Sequence, residues 1–189
     1  MMIAEESTAW PKVTGSPEDD GLGFTLKWNM GWMHDFTEYM KLDPYFRKNA
    51  HHMMTFSMEY AYSENYILVL SHDEVVHLKC SMLNKMPGEG WDKFRNLKVA
   101  YAFMMGHPGK KLLFMGQEFA QLREWSEERE LDWFLLAEEP HQQIQNWYKD
   151  LLHLYKKNKA LYELDNDPKG FDWINKDDIF RSIFSFTRH

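Results

Sequence analysis

Acidic side chains follow three short apolar runs of this sequence, and they are the residues best placed to do chemistry. The acidic stretches are Glu5-Glu6, Ser71-His72-Asp73-Glu74 and Gly116-Gln117-Glu118. In parallel α/β folds, functional residues gather where strands end and loops begin. Carboxylates that meet at one end of a sheet can exchange protons with an uncharged, polar substrate. The pattern therefore predicts acid/base chemistry on such a substrate.

Tryptophans accompany these carboxylates. A fourth apolar run, residues 24–27, leads into Trp28 and Trp32, and 16% of the chain is aromatic. Aromatic faces pack well against sugar rings, which makes a sugar a reasonable substrate class. Core packing is the alternative role for both tryptophans.

Two of the three acidic stretches have an explicit structural alternative. Glu5 and Glu6 could form a solvated surface pair, and Glu118 could brace a loop through Arg123. The stretch from Ser71 to Glu74 is the more specific signal, because four polar residues directly after a buried strand need partners or a ligand.

Three other chemistries fit the sequence less well. His72 and His77 are five residues apart after a strand, whereas the zinc-protease motif places its histidines at i and i+4 on one helix, so a zinc site is rejected. A dinucleotide motif beginning at Gly88 would need a third glycine at Lys93. Cys80 has His77 nearby, a pairing that alone does not define a nucleophile.

The hydrophobic pattern predicts the elements that must position these residues. Strands are expected at 1–4, 24–28, 66–70 and 112–115, the last two buried, and helices at 33–42, 50–62, 91–106 and 139–157. Short pieces at 171–174 and 181–186 are expected to be antiparallel. Strands that alternate with helices imply parallel βαβ units, in a barrel or an open doubly wound sheet. A complete (β/α)₈ barrel takes about 250 residues, so this α/β chain has room for about half of one.

Composition limits the partners and the compartment. The chain has 189 residues, 44% of them hydrophobic, with 22 basic against 29 acidic residues and a net charge of −7. This balance argues against nucleic acid and anionic membranes as partners. No apolar run reaches the roughly 18 residues of a membrane span, and the first residues lack a signal-peptide pattern. With one cysteine, a cytoplasmic location is predicted.

Seven runs, in order along the chain, resemble the 1,4-α-glucan branching enzymes of the α-amylase superfamily (glycoside hydrolase family 13). They are AEEST (4–8), KWNMGWMHD (27–35), SHDEVVH (71–77), KMPG (85–88), FMGQEF (114–119), REW (123–125) and ELDW (130–133). The resemblance implies a TIM-barrel fold and a retaining reaction in glycogen biosynthesis. Such an enzyme cleaves an α-1,4-glucan and transfers the chain to a 6-hydroxyl, which creates an α-1,6 branch without any cofactor or metal.

The resemblance also implies roles for individual residues. Glu5 matches the general acid/base that ends barrel strand five, and Asp73, after strand seven, matches the carboxylate that stabilises the distorted transition-state sugar. His72 matches the histidine that hydrogen-bonds the same glucosyl unit, and Glu118 matches an acidic position that supports the site. Glu74, Trp28 and Trp32 are the further substrate-binding candidates.

One part of that machinery is not found. The family's nucleophile is an aspartate in a G-x-R-x-D context, and no Arg-x-Asp occurs in this chain. Residues 1–165 are therefore predicted to be the C-terminal half of the barrel, strands five to eight, and residues 166–189 the beginning of a C-terminal antiparallel β-domain. The N-terminal half of the same enzyme would be the missing partner, and the isolated chain is predicted to be inactive.

Two residues depart from the family pattern, and two other functional interpretations stay open. Leu78 and Cys80 stand where many branching enzymes have glycine, and their side chains could narrow the acceptor groove. The chain could instead be a non-catalytic glucan-binding fragment. It could also come from another α-amylase-superfamily enzyme that hydrolyses its substrate.

Overall fold

Four short parallel strands form one sheet in the computed structural model, which describes residues 1–189. The strands are β1 (Ile3–Ala4), β2 (Leu26–Trp28), β3 (Tyr66–Leu70) and β4 (Lys110–Leu113), and they lie side by side in chain order. All three pairings are parallel. The predicted βαβ organisation is confirmed between β2 and β3 and between β3 and β4, where helices join parallel neighbours. Between β1 and β2 the chain has only a short 3₁₀ turn, Pro17–Asp19. The sheet is open at β1 and β4, and the number of each strand in a complete barrel stays a prediction.

Helices follow the strands along the chain. They are α1 (Met30–Lys41), α2 (Met82–Lys85), α3 (Trp91–Gly106) and α4 (Glu139–Lys157). The predicted bounds of α3 and α4 are confirmed. None of the helices combines the length and apolar character that crossing a membrane would require.

The structure differs from two of the helix predictions, and local geometry explains both differences. The first begins at Met30 instead of residue 33, because the Asn29 side chain caps it by accepting the Trp32 N–H at 2.9 Å. The predicted helix at 50–62 is wrong: short 3₁₀ turns cover Arg47–Met54 and Phe56–Glu59. Ala50 leaves the helical region, with φ −119° and ψ 15°, and interrupts the first of them.

Of the four predicted strands only β3 has the predicted bounds, since β1 and β2 begin two residues later than expected, at Ile3 and Leu26. In β3, Ile67 to Leu70 are all buried. β4 ends at Leu113 instead of residue 115, and its residues are only partly buried. Because β4 has a strand partner on one side alone, the expectation that it is buried is wrong.

The main core lies between the sheet and the helices. Residues of β3 alternate between the two faces of the sheet, as a strand requires. Leu68 and Leu70 join a cluster of 21 buried residues with α1, α3 and α4. Ile67 and Val69 pack on the opposite face with Leu26 in a cluster of only three. The helices therefore cover one face of the sheet far more completely than the other.

A hairpin follows the sheet and packs against its helices. The hairpin joins β5 (Phe171–Asp178) and β6 (Ile183–Arg188), which pair antiparallel as expected. The Phe184 ring stacks on His51 with ring centroids 4.1 Å apart. The Phe186 ring lies so close to Gly106 that a Cβ added there would be 2.9 Å from it. The domain boundary at residue 165 stays a prediction.

An ion cluster around the buried Asp165 carboxylate joins this hairpin to the sheet. The Asp165 carboxylate lies 3.0 Å from Lys110 Nζ on β4 and 2.9 Å from Arg188 Nη2 on β6. The Arg188 guanidinium also donates to the carbonyls of Gly106 at 3.0 Å and Gly170 at 2.9 Å. One charge cluster thus joins β4, the end of α3 and the last strand.

His107, directly after α3, gives stability a pH dependence. Its ring nitrogens lie 2.8 Å from Ser57 Oγ and 2.8 Å from the Pro108 carbonyl, and burial lowers its pKa to about 3. The unfolded chain binds this proton below a pKa of about 6.5, whereas the folded chain does not. Stability attributable to His107 is therefore present above that pH and lost as the pH falls towards 3.

We expect the free energy of unfolding to be about 2 kcal/mol lower at pH 5 than at pH 7 because of this group. Urea unfolding at the two pH values measures the difference. A His107→Gln variant should show a smaller difference than the wild-type chain. An unchanged difference in that variant would assign the pH dependence to other groups.

Candidate functional site

The predicted site residues follow the carboxyl ends of the parallel strands. Glu5 comes directly after β1, Trp28 ends β2, and His72 and Asp73 come just after β3. The register pairs Ala4 with Lys27 and Leu70 with Leu113, so these strand ends share one edge of the sheet. We call Glu5, Trp28, His72 and Asp73 the strand-end site.

A tight turn presents His72 and Asp73 together. Ser71 begins a 3₁₀ turn, His72–Val75, and its Oγ accepts the Asp73 N–H at 3.3 Å. This geometry places His72 Nε2 3.1 Å from Asp73 Oδ1, with the two side chains 45% and 40% exposed. The pair can therefore hydrogen-bond a ligand from the solvent side.

Aromatic rings hold the His72 imidazole in place. Its centroid lies 5.9 Å from that of Phe114 and 6.2 Å from that of Trp125. Phe114 and Trp125 in turn meet edge to face, 5.1 Å apart. Trp125 has no predicted role, although it lies in the REW run of the resemblance, and the structure adds it to the site.

Glu74 has a different environment from its neighbours in the turn. Its side chain is buried, and burial raises the pKa of Glu74 although Lys79 and Lys85 favour the charged form. The structure therefore gives its predicted substrate contact no support.

The two tryptophans have separate positions. Trp32 is 2% exposed, lies in the main core and stacks on Phe36 with centroids 4.6 Å apart. Its ring faces are covered, so in this structure Trp32 is a packing residue and not a sugar platform. Trp28 is partly buried against the small cluster around Ile67, at the strand-end site.

Glu118 does not join His72 and Asp73. It lies in a 3₁₀ turn, Gln117–Phe119, and lines a cavity with Tyr148 and Lys149 of α4. The bracing alternative is also wrong, because Arg123 pairs with Asp132 instead, its Nε lying 2.7 Å from Asp132 Oδ2. Glu118 therefore faces α4 in this chain.

Glu5 is exposed and has no side-chain hydrogen bond. The Glu6 side chain, in contrast, accepts a hydrogen bond. Glu6 Oε1 accepts the Thr8 N–H at 2.6 Å, and this bond lowers the pKa of Glu6. The loop that follows is held by Lys27, whose Nζ lies 3.1 Å from the Thr8 carbonyl and 3.3 Å from the Trp10 carbonyl. The Glu5 carboxylate is thus accessible to a ligand, next to a loop that Lys27 holds at Thr8 and Trp10.

A strained turn follows the His72–Asp73 pair. His77, Leu78 and Cys80 have φ values of 55°, 66° and 66°, which only glycine adopts without cost. The Glu124 carboxylate accepts the Leu78 N–H at 3.1 Å and the Cys80 N–H at 2.7 Å. This backbone geometry explains why glycine suits positions 78 and 80.

Leu78→Gly is expected to stabilise the chain by about 0.5–1 kcal/mol. Relief of the left-handed strain contributes about 1–2 kcal/mol, and the extra backbone entropy of glycine in the unfolded chain offsets about 0.5–1 kcal/mol of it. Little packing is lost, because the Leu78 side chain is exposed. The urea midpoint measures the gain, and a lower midpoint than that of Leu78→Ala would contradict the strain argument.

Known proteins resemble this chain along its whole length. No protein-family model matches the chain. Over 188 residues and 100% of its length, the chain is 67% identical to a 1,4-alpha-glucan branching enzyme GlgB of Butyrivibrio fibrisolvens. It is 55% identical, over the same length, to that of Bacillus cereus strain B4264. The chain spans 29% of the length of each of these curated relatives.

A solved structure resembles this chain in its fold. The α-amylase from H. orenii matches 92% of this chain and 38% of its own, with a TM-score of 0.52 and 17% sequence identity. At this identity the likeness shows an α-amylase-like fold and no more.

Proposed function

Because this chain is homologous along its whole length to a segment of the 1,4-alpha-glucan branching enzymes, we propose that it supplies part of the catalytic barrel of such an enzyme. The enzyme would cleave α-1,4-glucan and transfer the freed chain to a 6-hydroxyl during glycogen biosynthesis. The observation that carries the proposal is the 67% identity over 100% of the chain. The exposed His72–Asp73 pair at a strand end supports it.

The chemistry assigns different tasks to the carboxyl groups. Glu5 would donate a proton to the leaving glycosidic oxygen while a carboxylate from outside this chain attacks the anomeric carbon. Asp73 and His72 would bind hydroxyls of the distorted sugar and stabilise the charge that develops on it. Glu5, now ionised, would then take the proton of an acceptor 6-hydroxyl, whose oxygen displaces the enzyme carboxylate and forms the α-1,6 bond.

Each part of the chain has a place in the proposed enzyme. Residues 1–165 would supply barrel strands five to eight, and residues 166–189 would begin the C-terminal β-domain. The nucleophile would come from an N-terminal half of the same enzyme, since no Arg-x-Asp occurs in this chain. A single exposed cysteine is consistent with the reducing cytoplasm as the compartment.

Two assays of the isolated chain test this assignment. Maltoheptaose titration followed by tryptophan fluorescence is expected to show saturable binding, because Trp125 contacts His72. Asp73→Ala should weaken that binding, whereas Asp172→Ala on the hairpin should not. Iodine spectra of amylose incubated with the chain should stay unchanged. Branching by the chain alone would refute the missing-nucleophile argument, and absence of binding would refute the sugar site.

A further inference from the structure

The turn from His77 to Cys80 combines two unfavourable features in one short segment. Three of its residues, His77, Leu78 and Cys80, have left-handed backbones without being glycine, which costs about 1–2 kcal/mol each. Leu78 also leaves its apolar side chain 94% exposed. No packing inside the chain compensates for either feature at Leu78. Strained residues of this kind concentrate at ligand sites, where the surrounding structure enforces them.

Glu124 is the residue that enforces this turn. Its two carboxylate oxygens each accept one backbone N–H, those of Leu78 at 3.1 Å and Cys80 at 2.7 Å. Backbone N–H groups that converge from left-handed residues form a concave anion site, and here a carboxylate of the same chain occupies it. The amide donors of Leu78 and Cys80 are thereby satisfied.

The next residue connects the same loop to His72. The Trp125 N–H donates to the Val75 carbonyl at 2.9 Å, and the Trp125 ring packs against the His72 imidazole. Glu124 and Trp125 therefore hold both ends of the segment that begins at His72 and ends at Cys80. A shift of Glu124 would move the turn relative to the His72–Asp73 pair.

We propose that Glu124 is a positioning residue that fixes the His77–Cys80 turn, so that the exposed Leu78 side chain contacts the glucan bound at His72 and Asp73. The contact rests on the proposed function, because it needs a glucan at that pair. The apolar CH groups on the face of a glucosyl ring match a leucine side chain. Leu78 lies five residues after Asp73 in the same loop, and the bonds to Glu124 and Trp125 tie this loop to the His72–Asp73 pair. The proposed contact is with a sugar unit next to the one at that pair.

Amide hydrogen exchange of the isolated chain tests the positioning role without any sugar. In Glu124→Ala, protection of the Leu78 and Cys80 amides should fall at least about 10-fold, since each loses its only acceptor. Glu124→Gln keeps one carbonyl oxygen, so the loss of amide protection should be smaller than in Glu124→Ala. Comparison of the two variants separates the loss of an acceptor from the loss of charge. Glu127→Ala, an exposed acid in the same loop with no hydrogen bond, is the matched control. Unchanged protection in both Glu124 variants would overturn the positioning role.

A double-mutant cycle tests the sugar contact. Leu78→Ala and Glu124→Ala should each raise the maltoheptaose Kd about 10-fold, the size of a lost apolar contact. The double variant should be no worse than either single one, because Glu124 acts only through Leu78. Multiplying effects would overturn the proposal, as would an unchanged Kd in Leu78→Ala.

The two experiments separate this inference from the proposed function. A wild-type chain that binds no maltoheptaose refutes the sugar site and the Leu78 contact together, and the exchange result still decides the role of Glu124. If Glu124→Ala does not fold, Glu124→Gln carries both measurements, with an intermediate loss of protection and of affinity as the supporting result.

Discussion

Glu5→Gln is expected to lower the rate of α-1,6 branch formation by about 10²–10⁴-fold. The setting is a chimera in which this chain replaces the matching 188-residue segment of the Butyrivibrio fibrisolvens relative. A glutamine side chain cannot donate a proton to the leaving oxygen or accept one from the 6-hydroxyl. It keeps the size of the glutamate, and Glu5 is exposed without a hydrogen bond, so folding should be unaffected.

The adjacent glutamate provides the control for this variant. Glu6 accepts the Thr8 N–H at 2.6 Å, a bond that a glutamine carbonyl can also accept. Glu6→Gln should therefore keep the rate within a few-fold of the unsubstituted chimera. Initial rates come from the fall in iodine absorbance of amylose. Equal rates for the two variants would remove Glu5 from the acid/base role.

Asp165→Asn is expected to lower the free energy of unfolding by about 3–5 kcal/mol. The Asp165 and Arg188 side chains are 1% and 4% exposed, so the variant leaves a buried guanidinium without its counter-charge. Lys110 loses the same partner at 3.0 Å. Because the cluster joins β4 to the last strand, the hairpin should separate from the helices before the rest of the chain unfolds.

An exposed ion pair of similar length provides the control for the buried cluster. Lys159 and Glu163 lie 2.9 Å apart with side chains 73% and 51% exposed. Glu163→Gln should change stability by less than about 1 kcal/mol, because solvent already screens the pair. Urea unfolding of both variants gives the comparison. Similar losses in the two would show that burial does not set the strength of the Asp165 cluster.

Strong local patterns allowed much of the fold to be predicted from the sequence. The bounds of β3, α3 and α4 follow from an unbroken apolar run and two clear helical stripes. The start of α1 was missed because it depends on a side-chain cap at Asn29. The partial burial of β4 could not be predicted, since it depends on having only one strand neighbour.

The site was predictable to a smaller extent. His72 and Asp73 come together because they are adjacent in one turn, which a sequence pattern can express. The positions of Trp32 in the core and Glu118 beside α4 depend on how the elements pack. The hydrogen bond that the Cys80 N–H donates to the Glu124 carboxylate joins residues 44 positions apart, and no local pattern in the sequence indicates it.

The central claim is that this chain supplies Glu5 and Asp73 to a branching enzyme. Proton NMR of amylose incubated with the Butyrivibrio chimera tests it most directly, because α-1,4 and α-1,6 anomeric protons give separate signals. We expect the α-1,6 signals to grow with time in the chimera and to stay absent when it carries Glu5→Gln. A folded chimera that yields only shorter linear chains, or no change at all, would contradict the claim.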